Sequence, residues 1–201
     1  QVEMSLSRWD KAIDSFKAAK TKGWKKEKGK IEYFIGISLI ELEKYNEASK
    51  YLSQSVSMGQ EKIAKPWLEY IDYLEKTGLT IVKEDKRFDR FKGRVMFPIK
   101  SMSGRVLGYG GRILITDKKA AKYVNSPESD IYHKSNVLYG IHFAKQTIAK
   151  EDNCYLVEGY TDVISLHQSG IENVVSSSGT ALTGNQIRLI NRLTKNITIL
   201  F

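Results

Sequence analysis

Apolar residues in the first third of the chain recur at intervals of three and four. Trp9, Ala12, Ile13, Phe16 and Ala19 fall on one face of a helix. The pattern returns 36 residues later, with Trp9, Ala12, Phe16 and Ala19 corresponding to Tyr45, Ala48, Leu52 and Ser55. A period of that length predicts stacked helical hairpins over residues 1–76, with an ordinary helical bundle as the alternative. Small residues at Ala12 and Ala48 let helices approach, and Gly36 sits where a neighbouring helix could cross. Past residue 75 the pattern changes. Thr77-Gly78 can end the last helix, with the glycine in a left-handed cap. Val95, Phe97 and Ile99 then alternate with Arg94, Met96 and Pro98, which predicts a strand. Met102-Ser103-Gly104-Arg105 is turn chemistry, and residues 106–115 run back as a second strand. Gly108, Gly110 and Gly111 in that strand predict bends, or a backbone closely approached by another group.

The last third alternates short apolar runs with helical patterns. Strands are expected over 154–157, 173–176 and 197–201, with helices over 160–169 and 183–194. Gly170 closes the first helix and Thr183 is an N-cap candidate for the second. That order implies a parallel sheet, with chemistry gathered at the carboxyl ends of its strands. The expected fold class is therefore α/β, or α+β over the whole chain. Its parts are helical repeat hairpins (1–76), a mixed α/β basic subdomain (77–150) and a parallel-sheet subdomain (151–201).

Charge sharpens this division. The net charge is +9, but residues 77–134 hold 13 Lys/Arg against 6 Asp/Glu, while the flanking thirds are close to balanced. A basic middle third suits a polyphosphate partner, through counterion release, although a merely soluble basic surface would look the same. The single cysteine, Cys154, excludes an internal disulfide and a cysteine-built zinc site, and fits a cytoplasmic protein. No apolar run approaches the roughly 20 residues needed to cross a membrane. The chain starts at Gln1 and stops on an apolar strand at Phe201, so it reads as a fragment.

Glu158 directly follows the first parallel strand, Gly159 comes next, and Asp162 lies one turn into the helix. A carboxylate at a strand end with a second on the following helix suits hard divalent cations. Phosphoryl-transfer sites use such ions to neutralise oxygen charge. A capping Asp162 beside an incidental Glu158 is the other reading. Arg94, Arg112, Lys122 and Lys134 lie in or beside the β region, and the arginine fork suits phosphate. In Lys122-Tyr123-Val124-Asn125-Ser126-Pro127-Glu128 a cation, an aromatic and small polar groups could hold a phosphate, a ribose hydroxyl or a stacked base; alternatively Asn125-Ser126-Pro127 is a plain turn. Gly108-Tyr109-Gly110-Gly111 precedes no helix and no Gly-Lys-Ser/Thr, so dinucleotide-binding and P-loop readings fail. His133 is expected to be packed or solvated and Cys154 to be core. Ser176-Ser177-Ser178-Gly179-Thr180 either lines the site with hydroxyls or is a tight connection.

The helical repeat over 1–76 resembles the tetratricopeptide repeat, about 34 residues long, with the extra residues in the basic loop 21–30. Such arrays bind a peptide or protein partner. The later blocks resemble bacterial replicative primases of the DnaG type. They are Arg90-Phe91-Lys92-Gly93-Arg94-Val95-Met96-Phe97-Pro98-Ile99, Gly104-Arg105-Val106-Leu107-Gly108-Tyr109-Gly110-Gly111-Arg112, Lys122-Tyr123-Val124-Asn125-Ser126-Pro127-Glu128, Glu158-Gly159-Tyr160-Thr161-Asp162-Val163 and Ser178-Gly179-Thr180-Ala181-Leu182-Thr183. They stand in the family's order over residues 77–201.

The resemblance implies a two-part catalytic core: a basic subdomain for single-stranded template, then a TOPRIM subdomain with an acidic site. It implies synthesis of RNA primers from nucleoside triphosphates with magnesium or manganese. Glu158 and Asp162 map to the metal site, Arg112 and Lys122 to phosphate and template contacts with Tyr123 and Asn125 beside them, and Arg94 more weakly. A replicative helicase partner is implied for the full-length family. Zinc belongs to a domain absent from this chain. The family's Asp-x-Asp ligand pair follows the strand at 197–201, so the segment by itself is expected not to polymerise. Residues 1–76 are read as lying outside the resemblance. The rivals are another TOPRIM enzyme, a topoisomerase or nuclease, and a non-catalytic adaptor that binds protein through its repeats and nucleic acid through its basic part.

Overall fold

The computed structural model describes residues 2–24, 27–83, 86–115, 120–178 and 181–200. Gly179 and Thr180, part of the basic loop 21–30, and Phe201 lie outside the described residues. The chain forms two compact units, residues 1–75 with 80–89, and residues 76–79 with 90–201.

The first unit is helical, with α1 (Val2–Ser5), α2 (Trp9–Thr21), α3 (Lys30–Glu41), α4 (Tyr45–Ser57) and α5 (Glu61–Lys76). Helix α3 is apolar on nearly all sides and buried along most of its length, as the central helix of a bundle must be. Its neighbours α2 and α4 pack against it. Ala12 and Ala48 are buried at the contacts, and a Cβ at Gly36 would stand 2.7 Å from Leu52 Cγ, so the predicted helix crossing is real. Phe16 stacks on Phe34 at 5.2 Å. Ala64 and Ile71 of α5 join the same core. The buried Glu32 carboxylate is paired with Lys20 at 2.9 Å. The hairpin of β1 (Thr80–Lys83) and β2 (Lys86–Asp89) completes the unit.

The second unit holds two three-stranded sheets. One is antiparallel, built from β3 (Arg94–Lys100), β4 (Val106–Ile113) and β5 (Tyr123–Asn125) in that order. Phe97 and Ile99 point into the core as the alternation predicts, but Val95, near the strand's start, is exposed. Strand β4 stops at Ile113, two residues short of expectation. Its glycines admit rings: a Cβ at Gly110 would lie 2.5 Å from the Tyr160 ring, and one at Gly111 2.5 Å from Phe91. Ahead of this sheet, Gly78 adopts φ +69°, and a Cβ there would meet Pro127 at 2.5 Å. The predicted cap is therefore also a close backbone approach.

The other sheet is parallel, from β6 (Cys154–Val157), β7 (Val174–Ser176) and β8 (Ile197–Ile199), ordered β7-β6-β8. Helices cover both faces, which is why its strands are apolar runs. Cys154, Leu156 and Val175 pack with Ile141, Ala144 and Ile148 of α6 (Ile141–Glu151) and Ile190 of α8 (Gly184–Asn191). The alternate residues Val157 and Val174 pack with Val163 of α7 (Tyr160–Gln168). Helix α6 is an addition to the expected elements. Its buried residues at spacings of three and four belong to the parallel-sheet core, although it precedes β6. Helix α8 is shorter than the expected 183–194 because the chain turns after Asn191, but its cap is as read. Thr183 Oγ1 accepts the Gln186 N–H at 3.2 Å, and Gln186 Oε1 accepts the Thr183 N–H at 3.0 Å. The buried Gln186 also donates to the carbonyls of Val137 and Lys134 at 2.8 and 3.1 Å, holding the segment that leads into α6. Of the subdomains expected over 77–150 and 151–201, residues 77–79 and 90–201 fall within this unit, while residues 80–89 group with the first. No helix among the described residues is long and apolar enough to cross a membrane.

Candidate nucleotide and metal site

A cavity of about 410 Å³ opens at the carboxyl end of β6, lined by Tyr123, Asn125, Glu158, Gly159, Tyr160, Thr161, Asp162 and Ser178. Four predicted site residues meet there: Tyr123 and Asn125 from β5, Glu158 from the end of β6, and Asp162 from the first turn of α7. Glu158 is exposed, and its main-chain carbonyl accepts the Ser176 hydroxyl at 2.8 Å, which ties the ends of β6 and β7 together. Asp162 Oδ2 accepts the Gly159 N–H at 2.9 Å. The capping role weighed for Asp162 is thus present, and the side chain lines the cavity as well. The donors facing this space are oxygens, which suits a hard divalent cation. Among the described residues no group of three or more Asp, Glu, His or Cys that could hold a metal gathers.

The basic residues divide. Arg112 pairs with Tyr123 across β4 and β5, and its guanidinium lies 6.0 Å from the Tyr123 ring centroid. Lys122 is exposed next to it. Arg94, by contrast, donates from Nη1 to the carbonyls of Ala121, Lys122 and Gly111 at 2.9, 3.3 and 3.4 Å. It fastens the approach to β5 onto β4; none of Arg94, Arg112 and Lys122 is among the cavity-lining residues. Lys134 sits in a 3-10 turn, Lys134–Asn136. Its main-chain N–H, bonded to Glu128 at 3.0 Å, holds that carboxyl below the usual value. His133 is exposed beside Glu128 at 3.2 Å.

One cavity group, Tyr160, escapes a reading of the sequence, and another, Ser178, falls in the loop weighed as a hydroxyl lining. Tyr160 is 3% exposed, stacks on Phe97 at 5.1 Å, and donates its hydroxyl to Asn125 Oδ1 at 2.9 Å. Burial pushes its phenol pKa up. Ser178, from the loop after β7, lines the same cavity. It holds φ +64°, a left-handed conformation that costs a non-glycine residue about 1–2 kcal/mol. A tyrosine inside a metal-site block is the available signal, but an apolar core position would give the same letter. Ser126 is no plain turn residue either. Fully buried, it donates to the Thr77 carbonyl at 2.5 Å and accepts the Tyr109 N–H at 2.8 Å, anchoring the end of β5. Cys154 is core, and burial pushes its thiol up to about 12.

Residues 51–145 match the family described as DNA primase catalytic core, N-terminal domain, and residues 155–201 match a Toprim-like family. The first match begins inside α4. The family's sequence therefore reaches back across α5, which the motif blocks by themselves leave outside the resemblance. A DNA primase from Helicobacter pylori (strain J99) is 49% identical over 110 residues, 55% of this chain and 19% of that protein. One from Clostridium acetobutylicum is 47% identical over 127 residues, 63% of this chain and 21% of that protein. The chain thus spans about a fifth of the curated relatives it matches. Among solved structures, the zinc-binding and RNA polymerase domains of the Aquifex aeolicus primase align with TM-score 0.61 at 33% identity, covering 92% of this chain and 52% of that one. A DnaG primase catalytic domain bound to single-stranded DNA aligns with TM-score 0.56 at 43% identity, covering 64% of this chain and 41% of that one. The chain thus carries a DnaG-type primase core, with the amino-terminal domain of the catalytic core over residues 51–145 and a Toprim-like domain over residues 155–201.

Proposed function

We propose that this chain supplies the template- and nucleotide-binding part, and the first carboxylates of the metal site, of an enzyme that synthesises RNA primers on single-stranded DNA. The observation that carries the reading is the convergence of Tyr123 and Asn125 with Glu158 and Asp162 in one cavity. An aromatic and an amide suit a base or ribose, and two carboxylates suit the cation that accompanies a triphosphate. Arg112 and Lys122 hold phosphates of template or triphosphate, and Arg94 keeps β5 in place beneath them.

Glu158 would hold a divalent cation, magnesium or manganese, with Asp162 in support. When bound, that ion supplies charge neutralisation at the phosphoryl oxygens. The protein's own part is positioning: Tyr123 stacks, Asn125 donates, and the fixed β6 end keeps Glu158 in place. Nucleoside triphosphates are the substrates on this reading, a replicative helicase is the partner of the full-length protein, and the site of action is the cytoplasm. The helical hairpins of the first unit would bind a peptide or protein partner, as their resemblance to tetratricopeptide repeats suggests.

The test is primer synthesis on single-stranded template with magnesium by the full-length protein carrying this segment, beside its Glu158→Ala variant. Activity reduced in the variant by about a hundredfold or more is the expected result. Tight binding of single-stranded DNA with no primer made by either protein would turn the reading towards an adaptor.

A further inference from the structure

We propose that Tyr160 is a positioning residue whose hydroxyl sets the Asn125 amide so that Nδ2 donates into the cavity, to an acceptor oxygen of bound nucleotide. The inference rests on the nucleotide-binding reading above and names an atom and a residue acting on it.

The ring of Tyr160 is held on several sides. It lies against Phe97 at 5.1 Å and edge-on to Tyr139 at 4.7 Å, and it fills the space above Gly110. Packing alone would be served by a phenylalanine. A buried hydroxyl is retained at a desolvation cost unless it is bonded. Here it is bonded to Asn125 at 2.9 Å, and both residues line the cavity.

A phenol has one proton, and it goes to Asn125 Oδ1. With its carbonyl side engaged, the amide presents the two N–H donors of Nδ2 elsewhere. The main chain of Asn125 is held by its pairing with Gly110 and by the buried Ser126 that follows it, so the side chain reaches the cavity from a fixed base. Two donors at a fixed place select an acceptor oxygen, of a phosphate or a ribose. Template strand and nucleoside triphosphate share that chemistry.

The experiment titrates two probes separately into the chain: a fluorescein-labelled single-stranded oligodeoxynucleotide, and adenosine triphosphate with magnesium. The proteins are wild type, Y160F, N125A, N125D and the Y160F/N125A double variant. In whichever arm wild type binds, Y160F should weaken binding about fivefold, the worth of one oriented hydrogen bond. The double variant should bind no more weakly than N125A, because Tyr160 acts through Asn125. N125D keeps an acceptor for the Tyr160 hydroxyl but removes the donors, and should lose at least as much as N125A. N125D reads the amide orientation even if Y160F folds poorly. Wild-type affinity in Y160F, additive losses in the double variant, or N125D binding better than N125A would each overturn the inference and leave the nucleotide-binding reading intact. A wild-type chain that binds neither probe would overturn that reading, and the inference with it.

Discussion

The Tyr160 ring occupies the space into which a side chain at Gly110 would project: a Cβ there would stand 2.5 Å from Cε2. Strand β4 and the first turn of α7 are thus held at a distance that only a missing side chain permits. Gly110→Ala should force the ring off Phe97 and destabilise the chain by about 1–3 kcal/mol. Urea unfolding checks this, and an unchanged midpoint would mean that the ring can yield without loss.

Asp162 serves both the helix cap and the cavity, and two substitutions separate the roles. Asp162→Ala removes the acceptor for the Gly159 N–H and should lower stability by about 1 kcal/mol. Asp162→Asn keeps an acceptor oxygen and should recover most of that stability while weakening any metal-dependent step. Thermal unfolding beside magnesium-dependent primer synthesis by the full-length protein reads the two effects separately.

Arg112 and Lys122 should differ from Arg94 in salt dependence. Removing one phosphate-binding cation should reduce the slope of log affinity against log salt by about 0.7 for single-stranded DNA. Arg112→Ala and Lys122→Ala should show that reduction with little change in stability. Arg94→Ala frees three carbonyls that its guanidinium now engages, and should instead destabilise the fold. Equal affinity of wild-type chain at low and high salt would refute the phosphate role.

The buried thiol of Cys154 gives the fold an alkaline sensitivity. Its pKa rises from an ordinary 9.0 to about 12 because burial disfavours the thiolate. Above pH 9 the unfolded chain loses this proton while the folded chain keeps it, so the contribution is intact below about pH 9 and declines towards pH 12. Cys154→Ala should show a shallower loss of stability over that window. A thiol reagent at pH 8 should label Cys154 only as the chain unfolds.

Much of the architecture follows from spacing alone. Cys154-Tyr155-Leu156-Val157 and Val174-Val175 read as buried strands because helices cover both faces, and the Thr183 cap is an interaction three residues long. The repeated Ala12 and Ala48 mark helix contacts because the pattern of small and large residues is local to each helix. The acidic pair is equally visible, since Glu158 and Asp162 are neighbours in sequence.

Other features rest on residues distant in the chain. Asn125 meets Tyr160 across 35 residues. Arg94 reads as a phosphate ligand from its residue type alone, and only the fold brings the carbonyls of Ala121 and Lys122 to its guanidinium. Val95 keeps the alternation but lies beyond the core, and the apolar spacing of α6 could not say which sheet it would cover. Spacing along the chain was enough for the helices of the first third, the strands β3, β4 and β6–β8 and the acidic corner, because those rest on neighbouring residues, but not for α6, β5 or the β1–β2 hairpin. Only folding decided which polar groups face the cavity and which are consumed in holding it open. A side chain's hydrogen-bonding capacity is local to the residue, but the partner that takes it up is brought by the fold.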